Sequence, residues 1–177
     1  MVAVSDSITK KISISLRLKQ AVGLYFEEQN LSSLLPELRL QANRSKELMQ
    51  SIGLTSVCIR CAKVNQGSGC CSRAIEQWYE IPTLILNLLL GCTLPQRHRD
   101  PSTCIFLGET GCTLLVRYHF CVNYLCEHIK NEIPPKDLER LRRQYGRELY
   151  ISWKLEKEIW KYFNMNSCKE PSLPEAF

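Results

Sequence analysis

The sequence predicts a mainly α-helical single domain with irregular cysteine-rich metal-binding loops and one small β-hairpin. Three observations carry that prediction. Long stretches at both ends of the chain repeat their apolar residues at helical spacing. The middle of the chain is dense in cysteine and carries a run rich in glycine, serine and asparagine, which favours turns. Within it, Gly108-Glu109-Thr110-Gly111 separates two short apolar runs.

The elements follow in order. Residues 7–31 read as a helix that Asp6 or Ser7 can cap, with Ile14, Leu18, Ala21, Val22 and Tyr25 on one face. A second helix restarts at Ser32 or Ser33 and runs toward Ser51, with Pro36 tolerated in its first turn and Gly53 as its stop. Residues 1–54 are thus expected to form a helical hairpin that packs over the rest. From Thr55 to Arg73 the helical pattern stops and turns are expected. Pro82 then suits the first turn of a short helix ending near Gly91, apolar nearly all round and therefore deeply buried. Residues 92–120 read as irregular chain with a hairpin of Cys104–Leu107 against Cys112–Val116. Cys121 to Lys130 allows a helical turn or two, and Pro134-Pro135 breaks it.

A long helix closes residues 131–164, from about Lys136 to Phe163. Leu138, Leu141, Tyr145, Leu149, Trp153, Trp160 and Phe163 are its expected buried stripe. Glu139 with Arg143, and Lys154 with Glu158, support its outer side at i,i+4 spacing. Residues 165–177, with Pro171 and Pro174, read as a frayed tail.

The 177 residues suit one domain, and 45% hydrophobic with 23% charged residues is the make-up of an ordinary globular protein. A net charge of +5 does not demand a nucleic-acid partner. Arg140, Arg142, Arg143 and Arg147 could touch phosphate, but Glu139 and Glu148 interrupt the field, and nucleic-acid binding ranks last. The ten cysteines stand out. Disulfide frameworks belong mostly to small secreted domains. Met1-Val2-Ala3-Val4-Ser5-Asp6-Ser7 is unlike a secretory leader, and the apolar run Leu84–Leu90 is too short to span a membrane. The expectation is a cytoplasmic protein in which clustered thiols bind metal or do redox work.

Two groups of cysteines carry the chemistry: Cys58-x2-Cys61-x8-Cys70-Cys71, and Cys104-x7-Cys112-x8-Cys121-x4-Cys126. Each supplies four thiols, so the eight serve one site with spares or two four-ligand sites. Cys58-x2-Cys61 brings two sulfurs to one metal if the intervening turn folds back. Cys70 and Cys71 pose the open question: both serve one centre in a turn that Gly67 and Gly69 permit, or each serves a different centre. Cys92, after the apolar helix, reads as a core or helix-end residue, and Cys168 lies in the tail. His119 and His128 flank Cys121 and Cys126, but eight thiols already fill eight ligand positions. All-thiolate ligation suits an iron–sulfur cluster, slightly preferred here because only one Cys-x2-Cys knuckle exists; zinc, or one of each, stays open.

The order Cys-x2-Cys, Cys-Cys, Cys104-Ile-Phe-Leu, Gly-Cys112, Arg117-x3-Cys121-x4-Cys126 resembles the CxxCxxCC, or YkgJ-type, family of cysteine-cluster proteins, described as zinc- or iron-chelating domains. The resemblance covers about residues 55–130. It implies a metal site made by Cys58, Cys61, Cys70, Cys71, Cys104, Cys112, Cys121 and Cys126. The chain departs from that family where eight residues separate Cys61 from Cys70, and where Tyr118 follows Arg117 in place of proline. Flagellin lysine methylases are similar to the family in their cysteine region, which offers a metal-dependent enzymatic alternative. No glycine-rich dinucleotide loop, paired carboxylates or nucleophile–base pair stands in the sequence, so no catalytic residue is named. A structural or redox metal protein, with a protein partner left open, is the leading expectation.

Overall fold

A computed structural model describes residues 7–64 and 69–166. The helices are α1 (Ile8–Glu28), α2 (Leu34–Ser51), α3 (Leu54–Val64), α4 (Arg73–Glu76), α5 (Ile81–Leu89), α6 (His119–Asn123), α7 (Glu127–Glu132) and α8 (Pro135–Asn166). Strands β1 (Leu107–Gly108) and β2 (Gly111–Cys112) pair antiparallel, Leu107 opposite Cys112 and Gly108 opposite Gly111. The chain is one mainly helical domain with a small hairpin. No helix among the described residues is long and apolar enough to cross a membrane.

Local signals set most of the boundaries. Ser7 caps α1, its hydroxyl accepting from the Lys10 N–H; Asp6, the other candidate cap, lies outside the described residues. Asn30 takes a left-handed turn at φ 56°, which asparagine tolerates. Gly53, at φ 79°, ends α2 as expected. Its carbonyl then accepts from the Ser56 and Val57 N–H groups, so the same glycine starts α3.

Here the structure departs from the sequence reading. Residues 54–64 are helix, not turn. Leu54, Val57 and Ala62 bury one face of α3, and that burial outweighs the turn-like composition, which is concentrated further on. The predicted turn at Gly67 lies outside the described residues.

Three buried clusters form the core among the described residues, and α8 joins two of them. Its 32 residues span about 48 Å at the ordinary rise per residue. At one end Val22, Tyr25 and Phe26 of α1, Leu38 of α2, Ile85 and Leu86 of α5, and Ile151, Leu155 and Ile159 of α8 pack together. α1 lies along α5 while α2 lies along α8. At the other end Leu138, Leu141 and Tyr145 of α8 meet Leu48, Leu54, Val57, Val122 and Ile129.

The buried stripe of α8 runs through Leu138, Leu141, Tyr145, Glu148, Ser152, Leu155 and Ile159. The expected stripe agrees up to Tyr145 and then drifts. Trp153 and Trp160 are exposed, because steps of four from Tyr145 rotate off a 3.6-residue period. Likewise Ile14, Leu18 and Ala21 of α1 are only half-buried, while Ile8, Ile12 and Ser15 are buried. Glu139 pairs with Arg143 at 3.7 Å as expected. Lys154 instead sits 4.4 Å over the Tyr150 ring, and Glu158 pairs with Lys161.

α5 is buried nearly all round, as its sequence requires. Its one polar interruption, Asn87, is fully buried and makes four hydrogen bonds. Its amide donates to the carbonyls of Thr83 (2.9 Å) and Val116 (2.8 Å). Its oxygen accepts from the N–H groups of Leu115 (2.9 Å) and Val116 (3.0 Å). Those bonds hold the chain leaving β2 against α5, so residues 113–116 do not continue the predicted strand.

The start of the predicted hairpin is diverted in the same way. Cys104 N–H donates to the Cys71 carbonyl at 2.9 Å, and Ile105 N–H donates to Glu76 at 2.7 Å. The hairpin is left with two residues in each strand.

Candidate metal centre

All eight expected ligand cysteines line one chamber, a cavity of about 100 Å³. They reach it from separate elements. Cys58 and Cys61 sit three apart on α3, on one face of a helix rather than in a folded-back turn. Cys70 and Cys71 come from the segment before α4, Cys104 from the segment before β1, Cys112 from β2, Cys121 from α6, and Cys126 from the N-cap of α7. Lys46 and Met49 of α2, with Tyr79, Phe106, Leu114, Ile129 and Tyr145, complete much of the wall.

Cys104 is buried, and the other seven keep some exposure. Cys92 is not among the lining residues. Cys168 lies outside the described residues. His119 and His128 are exposed and do not line the chamber.

Several contacts join the chain segments that carry these thiols. Ser72 and Thr103 form an antiparallel bridge beside the Cys104-to-Cys71 hydrogen bond. Glu76, fully buried, accepts from Ile105 N–H and lies 2.8 Å from His98 Nε2. Tyr79, 1% exposed, points its hydroxyl at Cys121 Sγ, 3.9 Å away. Sequence reasoning passed over Glu76, His98 and Tyr79, because their partners are distant in the chain. Asn87 did leave a signal, as the polar residue in an apolar helix.

At six of these thiols the electrostatics favour neutral sulfur. Burial pushes the Cys58 thiol up to about 11, and the neighbouring Cys126, Cys70 and Cys61 add to that, against an opposing pull from Arg117. Burial and the Cys112 thiol together raise Cys121 to about 11. Cys70, Cys71, Cys104 and Cys112 are raised as well, each chiefly by burial. An activated nucleophilic cysteine needs the opposite shift.

Arg117 opposes this trend at Cys58, Cys112 and Cys121, and Lys46 adds to it at Cys112. The Arg117 guanidinium lies 5.4 Å from the Tyr145 ring centre and donates to the Tyr145 hydroxyl at 3.2 Å. Burial works against its charge, yet Tyr145, Glu148 and Cys112 hold its pKa above the ordinary value. Glu148 is 1% exposed, and neither carboxyl oxygen has a hydrogen-bond partner. Ser45 approaches it, but that hydroxyl donates to the Gln41 carbonyl. Burial therefore raises the Glu148 pKa, with Arg117 restraining the rise.

The donor set is all sulfur, which suits soft thiolate-bound metals. Among the described residues, no three His, Cys, Asp or Glu side chains are already set as a group that could hold a metal ion. The thiols share a chamber without standing at coordination spacing. Comparison with protein-family models, curated proteins and solved structures gives no match to the chain.

Proposed function

We propose that this chain is a metal-binding protein whose cysteines hold an iron–sulfur cluster, or zinc, as thiolates in a redox or structural role. One observation carries the reading: Cys58, Cys61, Cys70, Cys71, Cys104, Cys112, Cys121 and Cys126 converge on one chamber from six separate stretches of chain, while Cys92 stays out of it. Buried thiols scattered as small apolar residues have no reason to sort in this way.

The chamber also disfavours ionised sulfur at Cys58, Cys70, Cys71, Cys104, Cys112 and Cys121, since burial opposes charge there. Metal cations supply the missing positive charge and keep coordinated thiols deprotonated. All-sulfur ligation from irregular spacing favours iron–sulfur over zinc, and the exposed His119 and His128 leave a mixed zinc set unsupported. When bound, an iron–sulfur group supplies one-electron chemistry. The residues of the chain position sulfur and, through Arg117, offset negative charge.

A structural contribution accompanies either metal. Metal binding to such loops supplies folding free energy, on the order of 10 kcal/mol in zinc peptides. Removing it should loosen the cysteine-bearing segments on either side of α5 while the packing of α1, α5 and α8 persists.

The test is metal and sulfide analysis of protein purified without oxygen, with its absorption spectrum. Iron and acid-labile sulfide in equal amounts, with broad visible absorption, is the expected result. Zinc alone in a colourless protein selects the second metal. Protein that takes up neither metal, even when refolded with iron, sulfide and zinc, overturns the reading.

A further inference from the structure

Chain order divides the eight thiols into Cys58 to Cys71 and Cys104 to Cys126. Packing divides them differently. Cys71, Cys104, Cys112 and Cys121 belong to the apolar cluster built around Tyr79, Ile105, Phe106 and Leu114. Cys58 and Cys126 belong instead to the cluster of Val57, Ile129, Leu138 and Tyr145.

The backbone shows why. The Ser72–Thr103 bridge and the Cys104-to-Cys71 hydrogen bond carry Cys71 across to the second stretch of cysteines. At the far end, α7 packs on α3, which brings Cys126 back to Cys58 and Cys61. Cys70 sides with that group, because it neighbours Cys58, Cys61 and Cys126 there and only Cys121 of the other, while Cys71 beside it packs into the other cluster.

Resting on the metal-binding reading above, we infer that the chain builds two abutting four-thiolate centres. One uses Cys58, Cys61, Cys70 and Cys126, the other Cys71, Cys104, Cys112 and Cys121. Adjacent Cys70 and Cys71 serve different centres, and Cys126 crosses back to the first. Four sulfurs per centre satisfy either a tetrahedral zinc or an iron–sulfur cluster. Loading draws the sulfurs of each quartet inward to coordination spacing. The quartets touch, since Cys58 neighbours Cys71 and Cys70 neighbours Cys121.

The experiment titrates cobalt(II) into the full metal-free chain without oxygen and follows thiolate-to-cobalt absorption. Native mass spectrometry counts metals in the same samples. The wild type should bind two cobalt ions. Cys58→Ser with Cys126→Ser should bind one and keep half of the absorbance, as should Cys71→Ser with Cys104→Ser. Cys58→Ser with Cys71→Ser should lose both centres. Division by chain order predicts the reverse: the 58/126 pair loses both and the 58/71 pair loses one. That outcome, or a wild-type end point of one, overturns the two-quartet assignment and leaves metal binding standing. No cobalt–thiolate absorption in the wild type overturns both.

Variants that fail to fold, judged by circular dichroism, are replaced by a wild-type measurement. With two cobalt ions bound, all eight thiols should resist alkylation and Cys92 should react. At one equivalent, Cys71 should be protected together with Cys104 and Cys112, never with Cys58 and Cys61 alone. Protection of Cys58, Cys61, Cys70 and Cys71 as a set refutes the assignment.

Discussion

Replacing Asn87 with leucine tests how the cysteine region is fastened to the helices. Leucine fits an apolar helix and has slightly better helix propensity, so a reading by hydrophobicity alone expects stabilisation. The hydrogen bonds argue otherwise. The substitution leaves the N–H groups of Leu115 and Val116 without their acceptor and removes one donor from the Val116 carbonyl. A buried donor left unpaired costs about 1–3 kcal/mol, and the Leu115 group is only partly buried. Gains from apolar burial and propensity offset part of this. A net loss of about 2–4 kcal/mol is expected, or a drop of about 1–2 M in the urea midpoint at a slope near 2 kcal/mol/M.

The slope itself should stay unchanged, because the surface exposed on unfolding is the same. Hydrogen exchange at the Leu115 and Val116 amides should accelerate in the folded protein. Metal retention should weaken too, since this segment leads from Cys112 to Cys121. A loss of stability below about 0.5 kcal/mol, with those two amides still protected, would refute the fastening role of Asn87.

Further expectations concern residues around the chamber. Glu76→Ala removes the partner of both His98 and the Ile105 N–H. It should cost about 2–4 kcal/mol and speed tryptic cleavage after Arg97 and Arg99; an unchanged cleavage rate counts against it. Gly111→Ala places a methyl 3.1 Å from Thr55 Cγ2 at a φ of 109°. A loss of about 1–3 kcal/mol in thermal or urea unfolding is expected, and a neutral result means the hairpin can slide off α3.

Glu148 predicts a pH dependence. Its folded pKa is raised above 4.5, chiefly by burial. Protonation therefore favours the folded state: that contribution is whole below 4.5 and fades as pH rises through the folded value. Urea midpoints at about pH 4 and about pH 8 should differ less in Glu148→Gln than in the wild type, and parallel profiles would oppose the assignment. Cys92→Ala should keep the full metal content, whereas Cys112→Ser should not; equal loss in both breaks the sorting on which the proposed function rests.

The helical class, the limits of α1, α2, α5 and α8, and the cysteine groups were all legible in the residues. Ser7, Gly53 and Pro82 act within a turn or so of where they stand, so their effect needs no distant partner. Helical repeats alone did not say which side faces inward. On α8 the buried stripe passes through Glu148 and Ser152 and leaves Trp153 and Trp160 exposed, because the neighbouring helices choose the face. The Cys-x2-Cys segment read as a turn from composition, yet it is helical once Leu54 and Val57 have a core to enter.

The cysteines opened the question, and they show the same division. Their number and spacing along the chain picked out the eight of the ten that line one chamber. Which of the eight stand together is not a property of spacing. It depends on the Cys104-to-Cys71 hydrogen bond, on α7 packing against α3, and on Asn87 and Glu76 tying residues 29 apart in the chain. Those contacts join segments with no sequence relation to each other, and only the folded chain brings them within reach.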